Sequence, residues 1–338
     1  MSRFGCIVVA LLGLSGCDDE VVGFSEVADA GSSTRATLGS SEGDGTAADG
    51  TATSDESSSS GASVEEGLPD FVAYGFEDGL AVSFTDGQTW TEIPELTDMP
   101  MREGLARGEE RIVLVGADRT ATTEDGLTWE VNPFDIPTYA RAVAYGAGGF
   151  ASVGLDHLTW SEDGRSWVDT RGTSTGLDLV AVAYGGGRFL AVGIDRIATS
   201  ENGQNWTVTE AVGEKLTSVA FGDGRFVAIG ELGRILETQD GTTILRDEAS
   251  GLAGLGGMRF CGDSFVIGGS ERYWLSPDAG AWTEVMSIGG GAFACSGTSW
   301  VVVKEEGLFW SPELGGFSQT YTPPGVLYEV EFTGLDSL

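Results

Sequence analysis

Seven times along the chain a short motif returns at a spacing close to 38 residues, and no other feature restricts the fold so tightly. The copies are SFTDGQTW ending at Trp90, TTEDGLTW at Trp129, WSEDGRSW at Trp167, TSENGQNW at Trp206, ETQDGTTI at Ile244, LSPDAGAW at Trp282 and SPELGGF at Phe317. Their last residues lie 39, 38, 39, 38, 38 and 35 residues apart. A period near 40 with strand-like content marks propeller blades, none of which can bury its faces alone. Upstream of the copies run AVAYGAGGFASVG from Ala142, AVAYGGGRFLAVG from Ala181 and SVAFGDGRFVAIG from Ser218, each two alternating apolar strands around a Gly-rich turn. One unit therefore reads as an inner strand (LTSVAFG), a second (RFVAIG), a third (RILETQ) and a fourth of the WTVTE type, with the Asp-Gly turn joining third to fourth. The expectation is an all-β, seven-bladed propeller of four-stranded antiparallel blades over residues 68–338. The first blade lacks an inner strand of its own, since DFVAYGF aligns with second strands, whereas YEVEFTG at 328–334 has inner-strand character. The C-terminal strand is expected to complete blade one and so remove the free edges of an open array.

The copies resemble the Asp-box, or BNR, motif of sialidase-type propellers, and the resemblance covers about 80% of the chain. It implies a structural role for Asp86, Trp90, Asp125, Trp129, Asp163, Trp167, Asn202, Trp206, Asp240, Asp278 and Trp282. The residue types fit that role: Asp or Asn bonds back to its own turn, Gly supplies a positive φ, and Trp supplies buried area. Copies six and seven depart from the pattern, with Ala279 and Leu314 where Gly is expected and Glu313 in the acidic position.

The chain opens with a basic Arg3 and an apolar run from Phe4 to Leu14, too short to span a bilayer. Leu14-Ser15-Gly16-Cys17 resembles the lipobox of bacterial lipoproteins, which implies a signal peptide over residues 1–16, lost together with Cys6, and a lipidated Cys17. Asp18 resembles the inner-membrane retention signal of enterobacterial lipoproteins, a rule that other bacterial groups do not all obey, so inner and outer membrane both stay open. Residues 17–67 are then the lipidated Cys and an acidic Gly/Ser/Thr/Ala tether. Within 18–67 there are 31 Gly, Ser, Ala or Thr and twelve carboxylates against Arg35 alone, which leaves nothing to build a core. Such a tether reaches roughly 40 Å. The expected location is the bacterial cell envelope, periplasmic or cell-surface, with the lipid as the only membrane contact.

The whole chain carries 52 acidic and 18 basic side chains, a net charge of −34, which argues against nucleic acid and anionic lipid surfaces as partners. Cys261 and Cys295 sit near the inner-strand ends of adjacent blades six and seven, one residue out of alignment, and are either a disulfide or two buried thiols. His157 belongs to a second-to-third strand turn that also gives Asp118, Arg119, Asp156, Asp195, Arg196, Glu231, Arg234, Glu271 and Arg272; these are expected to form a charged ring on the face opposite the Asp-box turns, either as solvated turn residues or as a partner-binding ring. Trp160 and Trp310 are either buried between blades or platforms for a sugar. No Arg-Ile-Pro motif of sialidases, no metal-ligating cluster and no phosphate-binding loop occurs, so neither a catalytic residue nor a cofactor or metal is expected. The chain is similar to photosystem II assembly-factor propellers, which implies a rigid disc presenting loops to a protein. Those relatives bind through an Arg-rich patch, whereas residues 68–338 hold 40 acids and 16 bases, a net of −24. The functional expectation is a monomeric, lipid-anchored, non-enzymatic binding or scaffold module with a protein partner; the alternative is a glycan-binding or glycan-hydrolysing propeller of sialidase type.

Overall fold

The computed structural model describes residues 67–338 apart from 76–78, 95, 97–98, 100–101, 135–138, 211–212, 214, 270–271, 286–290 and 334–338. The segments expected to be signal peptide and tether, with Cys17, and Glu271 of the expected ring lie outside the described residues. The rest forms seven four-stranded antiparallel sheets. Blades two to seven each run inner to outer in chain order, while blade one combines the C-terminal strand Leu327–Phe332 with Phe71–Gly75, Leu80–Ser83 and Thr91–Glu92. Phe71 pairs with Phe332 and Ala73 with Val330, so the two ends of the ring meet in one sheet.

Second and third strands are covered by neighbouring blades on both sides, which is why Phe71–Gly75, Ile112–Gly116 and Arg188–Gly193 read as nearly continuous apolar runs and are buried along their length. Outer strands such as Val168–Asp169 and Ile244–Ala249 face water and are mostly polar. The buried strand-two phenylalanines Phe150, Phe189, Phe226 and Phe265 recur at one repeat position, each worth about 1.5–3 kcal/mol of transfer free energy. Each meets, tilted or edge-on, the last aromatic of its own inner strand, Tyr145, Tyr184, Phe221 and Phe260, with centroids 4.9, 4.6, 4.8 and 4.8 Å apart.

Those inner-strand aromatics also join one blade to the next. Tyr184 lies over Gly146 of the preceding blade, Phe221 over Gly185 and Phe260 over Gly222, so closely that a Cβ on these glycines would come within 2.1, 2.1 and 2.0 Å of the ring. The Tyr/Phe-Gly pair of the repeat is thus a knob and its seat on successive blades. At the sixth junction the seat is Cys261 and the knob is Cys295, and the two form a disulfide with Cα atoms 5.9 Å apart. Their one-residue offset in the repeat is what brings the sulfurs together, because knob and seat are themselves offset by one. At the junction between blades one and two, Arg107 occupies the knob position and its guanidinium donates to the carbonyl of Thr333. Thr333 in turn donates from its N–H to Asp70 O at 2.6 Å and from its hydroxyl to Pro69 O at 2.5 Å, tying down the closing strand.

In blades two to five the acidic or amide side chain of the motif bonds back to its own turn. Asp125 Oδ1 accepts the N–H of Leu127 and Thr128 at 2.8 and 2.7 Å, Thr123 Oγ1 accepts that of Gly126, and the Trp129 indole donates to Gly126 O at 2.9 Å. Asp163 and Asn202 repeat this set with Trp167 and Trp206, and Asp240 repeats it without a Trp. Blade one is a correction. Ser83 stands three residues before Asp86 instead of two, so Thr85 takes over the bond to the Thr89 N–H at 2.8 Å and Asp86 becomes an extra residue at φ 51°. Its carboxylate leaves its own turn and accepts Ser296, Thr298 and Ser299 hydroxyls of blade seven at 2.9, 2.8 and 2.5 Å. In blade six Ala279 adopts φ 57° in the Gly position, and its carbonyl accepts Arg246 in place of the Trp282 indole. In blade seven Ser311 donates across the turn to Gly315 O, while the backbone N–H of Glu313 donates to the Ser311 hydroxyl at 3.4 Å.

Two glycines separate the clash of the knob-and-seat contact from backbone strain. Gly185→Ala, whose Cβ meets Phe221, should destabilise by about 2–3 kcal/mol, while Gly148→Ala, at φ 80° with open space around it, should cost only about 1 kcal/mol. Denaturant midpoints of the two variants at constant m-value check this.

Candidate functional site

The second-to-third strand turns and the loops entering each inner strand share one edge of the ring, opposite the Asp-box turns. Three of the turns are held to a neighbouring loop by a backbone bond: Asp156 N–H to Leu177 O at 2.7 Å in the loop leading into the next blade, and Ile194 N–H to Asp178 O and Glu231 N–H to Lys215 O, both at 2.9 Å, in the loops leading into their own blades. Tight reversals at these points place Asp156, Asp195 and Leu232 at φ 46, 53 and 55°. Short acidic side chains tolerate that conformation better than most, and Asp156 Oδ1 reaches across to the loop before blade four, where it accepts the N–H of Gly176 and Leu177 at 2.7 and 3.2 Å.

The predicted ring residues do not all reach this surface. Arg119 lies 3.6 Å from Asp118, Arg196 lies 3.8 Å from Glu210 on the strand beside it, and Arg272 lies 2.8 Å from Glu284, all partly exposed. Asp195 and Glu231 are exposed. Arg234 is buried, its guanidinium gripping Asp247 through two bonds of 2.9 and 2.8 Å. His157 has no exposed surface: Nε2 sits 3.0 Å from the Ser152 hydroxyl and 3.1 Å from that of Thr159, and Phe134 meets the ring edge-on at 5.0 Å. His157 holds the same turn position as Arg196 of the next blade, yet its ring packs against Phe134 of blade two while the longer Arg196 reaches Glu210 beside it. Burial, with Arg171 nearby, pushes its pKa down to about 4, so it is neutral at pH 7.

At the mouth of the channel on this face a polar chain crosses three blades. Glu103 of blade two accepts the Tyr139 hydroxyl at 2.8 Å, the Arg141 guanidinium lies 6.0 Å from the centroid of the Tyr139 ring, and Arg141 pairs with Asp178 in the loop before blade four. Burial and then the Glu103 bond push the Tyr139 hydroxyl up to about 12, and burial raises Glu103. Deeper in the channel Arg259 of blade six reaches Glu329 at 3.3 Å and Glu331 at 2.5 Å on the closing strand. Both carboxyls are held above their ordinary range by burial, against the pull of the shared guanidinium. The sequence reading missed these residues. A signal existed: Arg259 and Glu331 stand on the inner strands where blades three to five have Ala144, Ala183 and Ala220, so charge replaces a small apolar residue at a repeat position. The guanidinium groups near the centre thus serve separate partners, Thr333, Asp178 and the glutamate pair, and do not converge on one open point.

Trp160 is 5% exposed and packs edge-on to Phe189 at 6.0 Å, so it offers no free face. Among the described residues no group of three or more His, Cys, Asp or Glu side chains is placed to hold a metal ion. No described helix is long and apolar enough to cross a membrane.

No protein-family model and no curated protein matches the chain. Among solved structures the fold is similar to YCF48 bound to a D1 peptide, with a TM-score of 0.54 at 18% identity over 65% of this chain and 81% of that one. It is also similar to virginiamycin B lyase from Staphylococcus aureus, with a TM-score of 0.57 at 9% identity over 67% and 85%. A third is the WD40 propeller domain of Doa1, with a TM-score of 0.52 at 14% identity over 74% and 98%. At these identities the likeness is one of fold.

The buried imidazole has a measurable consequence. Its folded pKa lies below the unfolded value, so its contribution to stability is present above pH 6.5 and is lost as pH falls through the window down to about 4. The loss between pH 7 and 4.5 should be about 2 kcal/mol. His157→Gln should show a correspondingly shallower fall over that range in urea unfolding.

Proposed function

We propose that this chain is a non-enzymatic binding or scaffold propeller, anchored at the bacterial envelope by a lipid on Cys17 and presenting its second-to-third strand turn face to a protein partner. The observation that carries this reading is the way the channel is used. Its charged groups are spent on one another across blades, Arg259 on Glu329 and Glu331 and Arg141 on Asp178, which makes the centre a strut between sheets. Exposed side chains able to make new contacts collect instead on the rim turns, at Asp118, Arg119, Asp195, Arg196, Glu231 and Arg272. A structural neighbour is bound to a peptide, which supports a protein ligand for this architecture. The glycan alternative receives no support from Trp160, which is packed between blades.

Two variants test the two halves of the reading. Cys17→Ser should move the protein from the membrane pellet to the soluble fraction and abolish palmitate labelling; retention in the pellet would refute the anchor. Asp118→Lys, Glu210→Lys and Glu231→Lys together break only rim pairs worth at most about 1 kcal/mol each, so the fold should survive. In-cell crosslinking with mass spectrometry should then lose the partner seen with the native chain. An unchanged partner would move the site off this face.

A further inference from the structure

The turn face also carries apolar side chains that folding does not explain. Leu155, Ile194 and Leu232 occupy the second-to-third strand turns of blades three, four and five and are 46, 39 and 80% exposed. Leu155 and Ile194 flank one loop residue, Asp178, which bridges to Leu155 and accepts the Ile194 N–H. Leu232 follows one blade further along the same edge.

Leu232 is the informative one. It sits at φ 55°, ψ 22°, a left-handed conformation that costs a leucine more than the aspartates holding the matching turns of the two preceding blades. Nothing is recovered by burial, since the side chain stands in water. A strained backbone that delivers an apolar side chain to solvent works against stability, and such positions gather at binding surfaces. Beside it opens a recess of about 440 Å³ lined by Glu231, Leu232, Arg234, Asp247, Glu248 and Gly213. Arg234 is engaged by Asp247 at its base, and the Glu248 side chain, 3.4 Å from Arg246, is 58% exposed.

Charge selects the occupant. Asp195, Glu210, Glu231 and Glu248 are exposed around the three apolar side chains; of the cations on the same edge, Arg171, Arg196 and Lys215, the first two are paired with Asp169 at 2.6 Å and Glu210 at 3.8 Å, and residues 68–338 carry a net of −24. Residues 18–67 are themselves acidic, and a second copy of the chain would bring the same sign again, so neither supplies the countercharge. We infer that the apolar arc Leu155, Ile194 and Leu232 with its carboxylate border is a docking surface for a basic amphipathic protein segment, its apolar side chains on the arc and its Lys or Arg side chains on the border. This rests on the proposed function and gives its partner a chemistry.

The test uses the full lipoprotein in its host with a photocrosslinking residue in place of Asp195, and the captured segment is sequenced. In parallel, the purified chain is titrated with a synthetic 16-residue Leu/Lys amphipathic peptide and its Leu/Glu counterpart, in native form and with Leu155→Ser, Ile194→Ser and Leu232→Asn. The captured segment should be basic and amphipathic. The Leu/Lys peptide should bind, the Leu/Glu peptide should not, and the three substitutions together should weaken binding at least ~10-fold. Leu232→Asn alone should raise Tm by about 2 °C, as asparagine tolerates the left-handed turn; a fall in Tm would assign Leu232 to the fold and overturn the inference. Peptide binding that falls with salt but ignores the substitutions is general attraction to an acidic protein and also overturns it. A turn-face crosslink to an acidic or uncharged segment, or to a second copy, overturns the inference while leaving the scaffold reading in place. Crosslinks confined to other faces remove both.

Discussion

A blade of this protein is a thin sheet with two apolar faces, and it is stable only when neighbours cover both. The contact that sets blade against blade is the aromatic at the end of each inner strand resting on the glycine seat of the blade before it, Tyr184 on Gly146, Phe221 on Gly185 and Phe260 on Gly222. Without a Cβ on the seat, the backbone of one blade and the ring of the next approach to van der Waals contact, and the second-strand phenylalanine beneath completes the cluster. Because every blade depends on the next, the ring tolerates no gap, and the junctions where knob or seat changes show what else can do the work. A disulfide replaces the pair between blades six and seven, and an arginine-to-carbonyl bond replaces it between one and two.

The seam between blades one and seven carries the most varied bonding. The closing strand pairs with Phe71–Gly75, Thr333 ties it to Pro69 and Asp70 just before that strand, Asp86 crosses to three hydroxyls of blade seven, and Arg259 reaches the closing strand from blade six. A strand contributed from the far end of the chain closes a loop of more than two hundred residues, with the entropy cost that implies. Side-chain bonds that reach across this seam slow its opening. The same bonds occupy the central polar groups, which is the structural basis for placing function on the rim.

On the rim, the turn chemistry divides in two. Asp156 and Asp195 satisfy a left-handed reversal with the residue type that suits it, whereas Leu232 does not. The acidic surface around these turns favours a partner of opposite charge and raises its rate of encounter at low ionic strength. The framework beneath them is held by backbone bonds to the neighbouring loops, so the turns are presented on a rigid support.

The blade count, the four-strand unit, the closure by the C-terminal strand and the place of the third-to-fourth strand turns in blades two to five could all be read from the sequence, because each depends on contacts local to one repeat or on the repeat number itself. The two cysteines were placed on adjacent blades by alignment, but their pairing was not decidable until the knob-and-seat offset was seen. The fate of Asp86 turned on a single extra residue before it, which shifts a bonding register that the motif alone does not display. His157 and Arg234 share turn positions with exposed residues, and only the packing of blade against blade shows that both are buried. Arg259 lies some seventy residues along the chain from Glu329 and Glu331. Local sequence determined the blades and their turns through backbone preferences that act over a few residues; the tertiary structure alone decided which charges meet, because those contacts exist only once the ring has closed.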